Sequence, residues 1–119
     1  MIPKKAIITG SSTGLGESLA TVFAMNGYDL VIHGRNKNKL EKVSEGIKTL
    51  GVNCSTVLGD LTASKTINLL ELEALKGGGS SVLINNAADI LSAYGIPFEN
   101  IDDTKIDKIL TTNLVSLIK

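Results

Sequence analysis

Four short stretches of this chain carry residue types suited to holding an anionic nucleotide. The first is Thr9-Gly10-Ser11-Ser12-Thr13-Gly14-Leu15-Gly16. It follows the apolar run Ala6-Ile7-Ile8 and opens an amphipathic segment over 17–25. Strand, glycine-rich turn and helix in succession bring a phosphate to a helix's amino end. The N–H groups there lack intrahelical partners, and the helix dipole favours negative charge. Gly10 suits the tight turn, Gly14 leaves the backbone bare for a pyrophosphate, and Gly16 lets the helix lie close on its sheet. The spacing is not GxGxxG, because three residues separate Gly10 from Gly14. Nor is it a P-loop, which needs Lys and then Ser or Thr after its last glycine, where this chain has Glu17-Ser18. Taken alone, the turn also fits an ordinary strand-to-helix connection.

The second stretch is His33-Gly34-Arg35-Asn36. An NAD site places Asp or Glu roughly 20 residues beyond the glycine turn to hold the ribose 2′-OH. Here a guanidinium stands in that region, and arginine can grip a 2′-phosphate through two N–H groups. Lys37 and Lys39 read as the solvent face of the following helix. Third is Gly59-Asp60-Leu61-Thr62, in which Asp60 can accept from an adenine amino group or cap the next helix equally well. Fourth is Asn85-Asn86-Ala87-Ala88. Paired asparagines are poor strand formers, so their amides must be in use, in a ligand site or in holding the loop. The small alanines let a flat ligand approach. His33, the one histidine, has no Ser or Asp arrangement beside it and reads as structural rather than catalytic. Asp102, Asp103 and Asp107 suit a helix dipole, and no metal site is expected.

The elements that must position these residues follow from periodicity. Short, apolar, β-branched runs at 5–9, 29–33, 53–58 and 81–85 read as buried strands. Helical spacing occupies 14–26, 38–50 and 62–76. In the first helix Leu15, Leu19, Val22, Phe23 and Met25 are expected to face the core, in the second Leu40, Val43, Ile47 and Leu50, and in the third Ile67, Leu70 and Leu75, with Thr62 as cap. Gly27 and Gly51 stop the first two helices. Gly77-Gly78-Gly79-Ser80 reads as a flexible connection, 87–100 as irregular, and Asp102 or Asp103 could cap a last helix to Lys119. Strict βα alternation with continuously apolar strands predicts a parallel sheet with helices on both faces. With strand order 3-2-1-4, the ligand crevice lies outside the carboxyl ends of strands one and four. The glycine turn and Asn85-Asn86 would meet there.

Composition removes other classes. At 119 residues there is room for one domain. Zero net charge offers no electrostatic case for nucleic acid or an anionic membrane, and 3% aromatics leaves little for base stacking. Cys54 is alone, which excludes an internal disulfide and a CxxC zinc site, and it reads as a packed strand thiol. No apolar run approaches the roughly 18 residues of a membrane helix, and Met1-Ile2-Pro3-Lys4-Lys5 is too short and polar for a signal peptide. A reducing, cytoplasmic setting is expected.

Together these stretches resemble the short-chain dehydrogenase/reductase family along nearly the whole chain. The glycine turn fits that family's TGxxxGxG loop, and Gly34-Arg35 resembles its NADP-preferring members. Asp60-Leu61 is similar to its adenine-contacting pair. Asn85-Asn86-Ala87-Ala88 is similar to its NNAG stretch, with Ala88 one methyl larger than the glycine. Thr112-Asn113-Leu114 resembles the segment carrying the Asn of the family's Asn-Ser-Tyr-Lys tetrad. The resemblance implies a Rossmann-like three-layer α/β fold of about four strands here. It also implies hydride transfer between NADP(H) and a small carbonyl or alcohol. The cofactor-binding residues it implies are Gly10, Ser11, Ser12, Thr13, Gly14, Leu15, Gly16, Arg35, Asn36, Asp60, Leu61, Asn86, Ala87 and Ala88, with Asn113 as a catalytic residue.

The family's proton donor is a tyrosine made more acidic by a lysine four positions later, since a phenol near pKa ~10 is otherwise too weak at neutral pH. Here four positions beyond Tyr28 and Tyr94 stand Ile32 and Phe98. The expectation is therefore an amino-terminal, cofactor-binding portion of a reductase, inactive alone. Its fourth strand, Ser81-Val82-Leu83-Ile84, has neither charge nor proline to guard an open edge, so homo-oligomeric association through it is expected. The alternative is a short protein that binds a nucleotide or a partner and catalyses nothing. Receiver and flavodoxin-like domains are poorer fits, because Thr9-Gly10 replaces a receiver's acidic pair and few aromatics are present to stack on a flavin.

Overall fold

The structure is a computed structural model in which residues 3–87 are described. Ala88, the 89–100 region, Tyr94, the aspartates of the expected last helix and Asn113 lie outside the described residues.

Four strands, β1 (Lys5–Ile8), β2 (Asp29–Gly34), β3 (Cys54–Leu58) and β4 (Val82–Ile84), form one sheet in the order β3-β2-β1-β4. Every pairing is parallel, with Ile7 opposite both Val31 and Leu83. Three helices, α1 (Gly14–Met25), α2 (Lys37–Lys48) and α3 (Ser64–Leu75), make the crossovers. This is the parallel sheet expected of the alternation, in the Rossmann-like α/β arrangement that the resemblance implies.

Successive strand residues point to opposite faces, and both faces are covered. Ala6, Ile8, Leu30 and Ile32 meet Ala20 and Ala24 of α1 and Leu40, Val43 and Ile47 of α2. Ile7, Val31 and Val57 meet Leu61 and Leu70 on the α3 side. Cys54 packs half-buried against the first of these cores; burial raises its thiol pKa, and a Ser44 hydrogen bond and Lys48 oppose the rise.

The core-facing side of α1 differs from expectation. Leu15, Val22 and Met25 are 67%, 55% and 70% exposed, while Gly16, Ala20 and Ala24 are buried. These small residues recur every fourth position and form one stripe, which lets the helix axis approach the sheet. Leu19 and Phe23 flank the stripe, half-buried. In α2 the stripe holds at Leu40, Val43 and Ile47, but Leu50 lies beyond the last turn and is exposed. In α3 Leu70 and Thr66 are buried, whereas Leu75, at the helix end, is exposed. The helix starts at Ser64 with Ala63 at the cap position, so Thr62 does not cap it; Thr62 instead bonds Asp60. The glycine-rich connection begins as a short 3-10 turn over Lys76–Gly78.

Candidate dinucleotide cleft

The glycine turn leaves β1 and is held from three directions. Thr9, itself buried, accepts hydrogen bonds at Oγ1 from the backbone N–H groups of Asn86 and Ala87, both at 3.1 Å. Asn86 then donates its side-chain Nδ2 to the Gly10 carbonyl at 3.0 Å. The amide that makes Asn86 a poor strand former is thus spent tying the end of β4 to the turn. Ser11 is fully buried and donates its hydroxyl to the Ile8 carbonyl at 2.9 Å while accepting from the His33 N–H at 3.0 Å. The Ser11 N–H reaches the His33 carbonyl at 2.8 Å.

Glycine is required in this turn for separate reasons. Gly10 and Gly14 have φ of +63° and +62°, a region that disfavours side chains, and a Cβ at Gly14 would stand in open space. Gly16 is a matter of approach. A Cβ there would collide with the Gly10 carbonyl oxygen and stand 2.6 Å from Asn86 Nδ2. Thr13 occupies the N-cap of α1 with extended backbone and no side-chain cap bond, so its hydroxyl leaves the first-turn N–H groups to other partners.

A cleft of about 450 Å³ opens over this turn at the carboxyl ends of β1, β2 and β4. Gly10, Ser12, Thr13, Asn86 and Ala87 line one side; His33, Gly34, Arg35, Asn36 and Lys39 line the other. Two of these residues are cations and none is a carboxylate. Asn36 Oδ1 accepts from the Lys39 N–H at 3.0 Å and so caps α2, which projects the helix's first turn at the cleft. Lys39, read from sequence as solvent face, lines the cleft beside Arg35. The signal for it was present in its position one turn into a helix that begins directly after Asn36.

Asp60 lies on the loop after β3. Its Oδ1 accepts from the N–H and the hydroxyl of Thr62, both at 2.8 Å, which makes the local turn before α3. The Leu61 side chain is buried on the α3 face of the sheet. Leu15 projects outward, so any ligand contact from 14–16 would be through backbone. The ring of His33 spans the cleft floor, accepting at Nδ1 from the Gly10 N–H at 3.1 Å and facing the Gly59 carbonyl with Nε2 at 2.8 Å. Burial lowers its pKa below 6.5. The Gly59 bond and Asp60 oppose that shift, and Arg35 adds to it.

Comparison with known proteins places this geometry among relatives. The family model for short chain dehydrogenases matches residues 4–119. An uncharacterised oxidoreductase of Staphylococcus aureus is 33% identical over 91 residues, covering 76% of this chain and 38% of that protein. A short-chain dehydrogenase from Sphingobium yanoikuyae, solved in complex with NADPH, superposes with a TM-score of 0.84 at 29% identity, over 98% of this chain and 44% of that one. An alcohol dehydrogenase from Thermococcus sibiricus, complexed with 5-hydroxy-NADP, gives 0.85 at 26% identity, over 97% and 48%. The chain thus spans less than half the length of these relatives.

Proposed function

The chain belongs to the short-chain dehydrogenase family, and we propose that its cleft binds NADP(H) as the cofactor half of an oxidoreductase acting on a carbonyl or alcohol. The observation that carries this reading is the pairing, in one cleft, of Gly10, Ser12 and Thr13 of the turn that leads into α1 with Arg35 and Lys39, and no carboxylate among the described lining residues. The chemistry of the donors fits the group. The N–H groups of Gly14, Leu15 and Gly16 suit a pyrophosphate, and Ser12 and Thr13 offer hydroxyls beside them. Arg35 suits a 2′-phosphate through paired N–H groups, with Lys39 as a second charge. Asp60 and Leu61 suit an adenine edge, and Asn86 and Ala87 suit the nicotinamide ribose, a role the family resemblance extends to Ala88. When bound, the nicotinamide supplies or accepts the hydride; the protein's share is orientation, exclusion of water and a proton donor.

The proton donor is what these residues lack. Tyr28 stands at the amino end of β2, opposite the cleft. It packs edge-on against Phe23 with ring centroids 5.1 Å apart, and Lys4 Nζ lies 5.8 Å over its ring. It is a packing tyrosine, with Ile32 rather than lysine four positions on. Asn113 as the tetrad asparagine has no Tyr-x-x-x-Lys to serve within the 119 residues. In this reading the chain by itself binds the dinucleotide without reducing a carbonyl.

Titration calorimetry with NADPH and NADH tests the binding reading. NADPH should bind more tightly by about tenfold or more, the worth of one charge-assisted contact. Equal affinity refutes Arg35 as the 2′-phosphate residue, and no binding refutes the reading whole. Carbonyl-dependent loss of NADPH absorbance by the 119 residues, abolished in Gly14→Val, would refute the proposed inactivity.

A further inference from the structure

We infer that His33 is a positioning residue for the dinucleotide cleft: its neutral Nε2–H form clamps the start of the glycine turn to the end of β3, and protonation opens the clamp and weakens dinucleotide binding. The inference rests on the cofactor reading above and adds a residue and a pH dependence to it.

The partners of the ring dictate its tautomer. Gly10 presents an N–H, which can only donate, 3.1 Å from Nδ1. Gly59 presents a carbonyl, which can only accept, 2.8 Å from Nε2. Nδ1 must therefore be bare and Nε2 must carry the proton. Imidazolium carries a proton on both nitrogens, so Nδ1–H would face the Gly10 N–H donor to donor. His33 is 3% exposed, which leaves water little room to relieve that contact. The residue's backbone is committed to the same turn, through its carbonyl from the Ser11 N–H and its N–H to Ser11 Oγ. Ring and backbone thus hold Gly10 and Ser11 together.

Displacing Gly10 would carry further. Its carbonyl accepts from Asn86 Nδ2 and lies against the space a side chain at Gly16 would fill. A turn that opens at Gly10 therefore disturbs both the first turn of α1 and the end of β4, the two elements offered to the pyrophosphate and the nicotinamide ribose.

Among the described residues, the charges around the ring are Arg35 beyond β2, Asp60 beyond β3 and Lys39 of α2; the lining from the glycine turn and from 86–87 is uncharged. A bound phosphate would favour the imidazolium by charge alone. The clamp and the charge thus predict opposite pH trends, which makes the inference decidable.

NADPH affinity of the intact chain and of His33→Asn is measured between about pH 8 and about pH 5.5. Asn keeps an acceptor near the Nδ1 position, loses the bond to Gly59 and does not titrate, while the 2′-phosphate titrates equally in both titrations. The variant should bind about fivefold more weakly near pH 8, the worth of one hydrogen bond. The natural chain should then lose affinity more steeply on acidification, by up to about tenfold per pH unit below the ring's pKa. Parallel pH profiles, or a natural chain that tightens relative to the variant, overturn the role of His33 while leaving the cofactor reading standing. No NADPH binding by the natural chain at any pH overturns both. Imidazole ¹⁵N shifts of the natural chain need no variant: a bare Nδ1 at neutral pH, with the Gly10 amide shift following the ring's titration, is expected, and an Nδ1–H tautomer overturns the clamp even if His33→Asn fails to fold.

Discussion

A single methyl group, added at two glycines of the same protein, should act with opposite sign. At Gly16 a Cβ collides with the Gly10 carbonyl oxygen and stands 2.6 Å from Asn86 Nδ2 and 2.9 Å from Ser11 Cα. None of these neighbours yields easily. The Gly10 carbonyl is fastened by Asn86, and Ser11 is buried and bonded to both Ile8 and His33. Overpacking of this kind costs about 1–3 kcal/mol, and loss of the Asn86–Gly10 bond adds about 1 kcal/mol. The better helix propensity of alanine returns at most about 1 kcal/mol. Gly16→Ala should therefore destabilise by about 1–3 kcal/mol. At Gly46, in the exposed side of α2, a Cβ meets nothing within 4 Å and the backbone is ordinary helix. Gly46→Ala should stabilise by about 0.5–1 kcal/mol. Urea denaturation followed by far-ultraviolet circular dichroism measures both, and the thermal midpoints should separate by several degrees at about 4 °C per kcal/mol. If both variants are stabilised to the same extent, the close approach of α1 to the glycine turn is wrong, and with it the geometry of the cleft.

Other outcomes follow from the same contacts. Arg35→Ala should weaken NADPH by about ten- to a hundredfold with NADH little changed, and Lys39→Ala should weaken NADPH by a smaller, salt-sensitive factor, both read by calorimetry at two ionic strengths. Ser11→Ala removes the hydroxyl that accepts from the buried His33 N–H, and should cost about 1–3 kcal/mol in urea denaturation; a neutral result would mean that the N–H finds another partner. His33 has a folded pKa below its unfolded 6.5, so the unfolded chain binds its proton first. Its contribution to stability should be complete above about pH 6.5 and fall away as pH drops through that value to the lowered folded one. Denaturation midpoints in His33→Asn should lack that component.

Much of this protein was legible before any fold was known, because the signals are local. Apolar β-branched runs separated by helical spacing dictate strand and helix in alternation, and alternation dictates a parallel sheet with its crevice at the strand ends. Alternation alone leaves the strand order open; once the order is β3-β2-β1-β4, the glycine turn and Asn86 have to meet at the switch point. Only the tertiary structure decided which side of each element faces what. In α1 the large residues Leu15, Val22 and Met25 suggested the inner face. The stripe of Gly16, Ala20 and Ala24 took it, because the turn holds the helix too close to the sheet for anything larger. Lys39 reads as surface until the Asn36 cap sets the start of α2 and brings it over the cleft. The two jobs of the His33 ring depend on Gly10 and Gly59, 23 and 26 residues away along the chain, and Thr9 finds its donors 77 and 78 residues away. Periodicity carries no record of such pairings, since they come into being only when separate strands end at the same place.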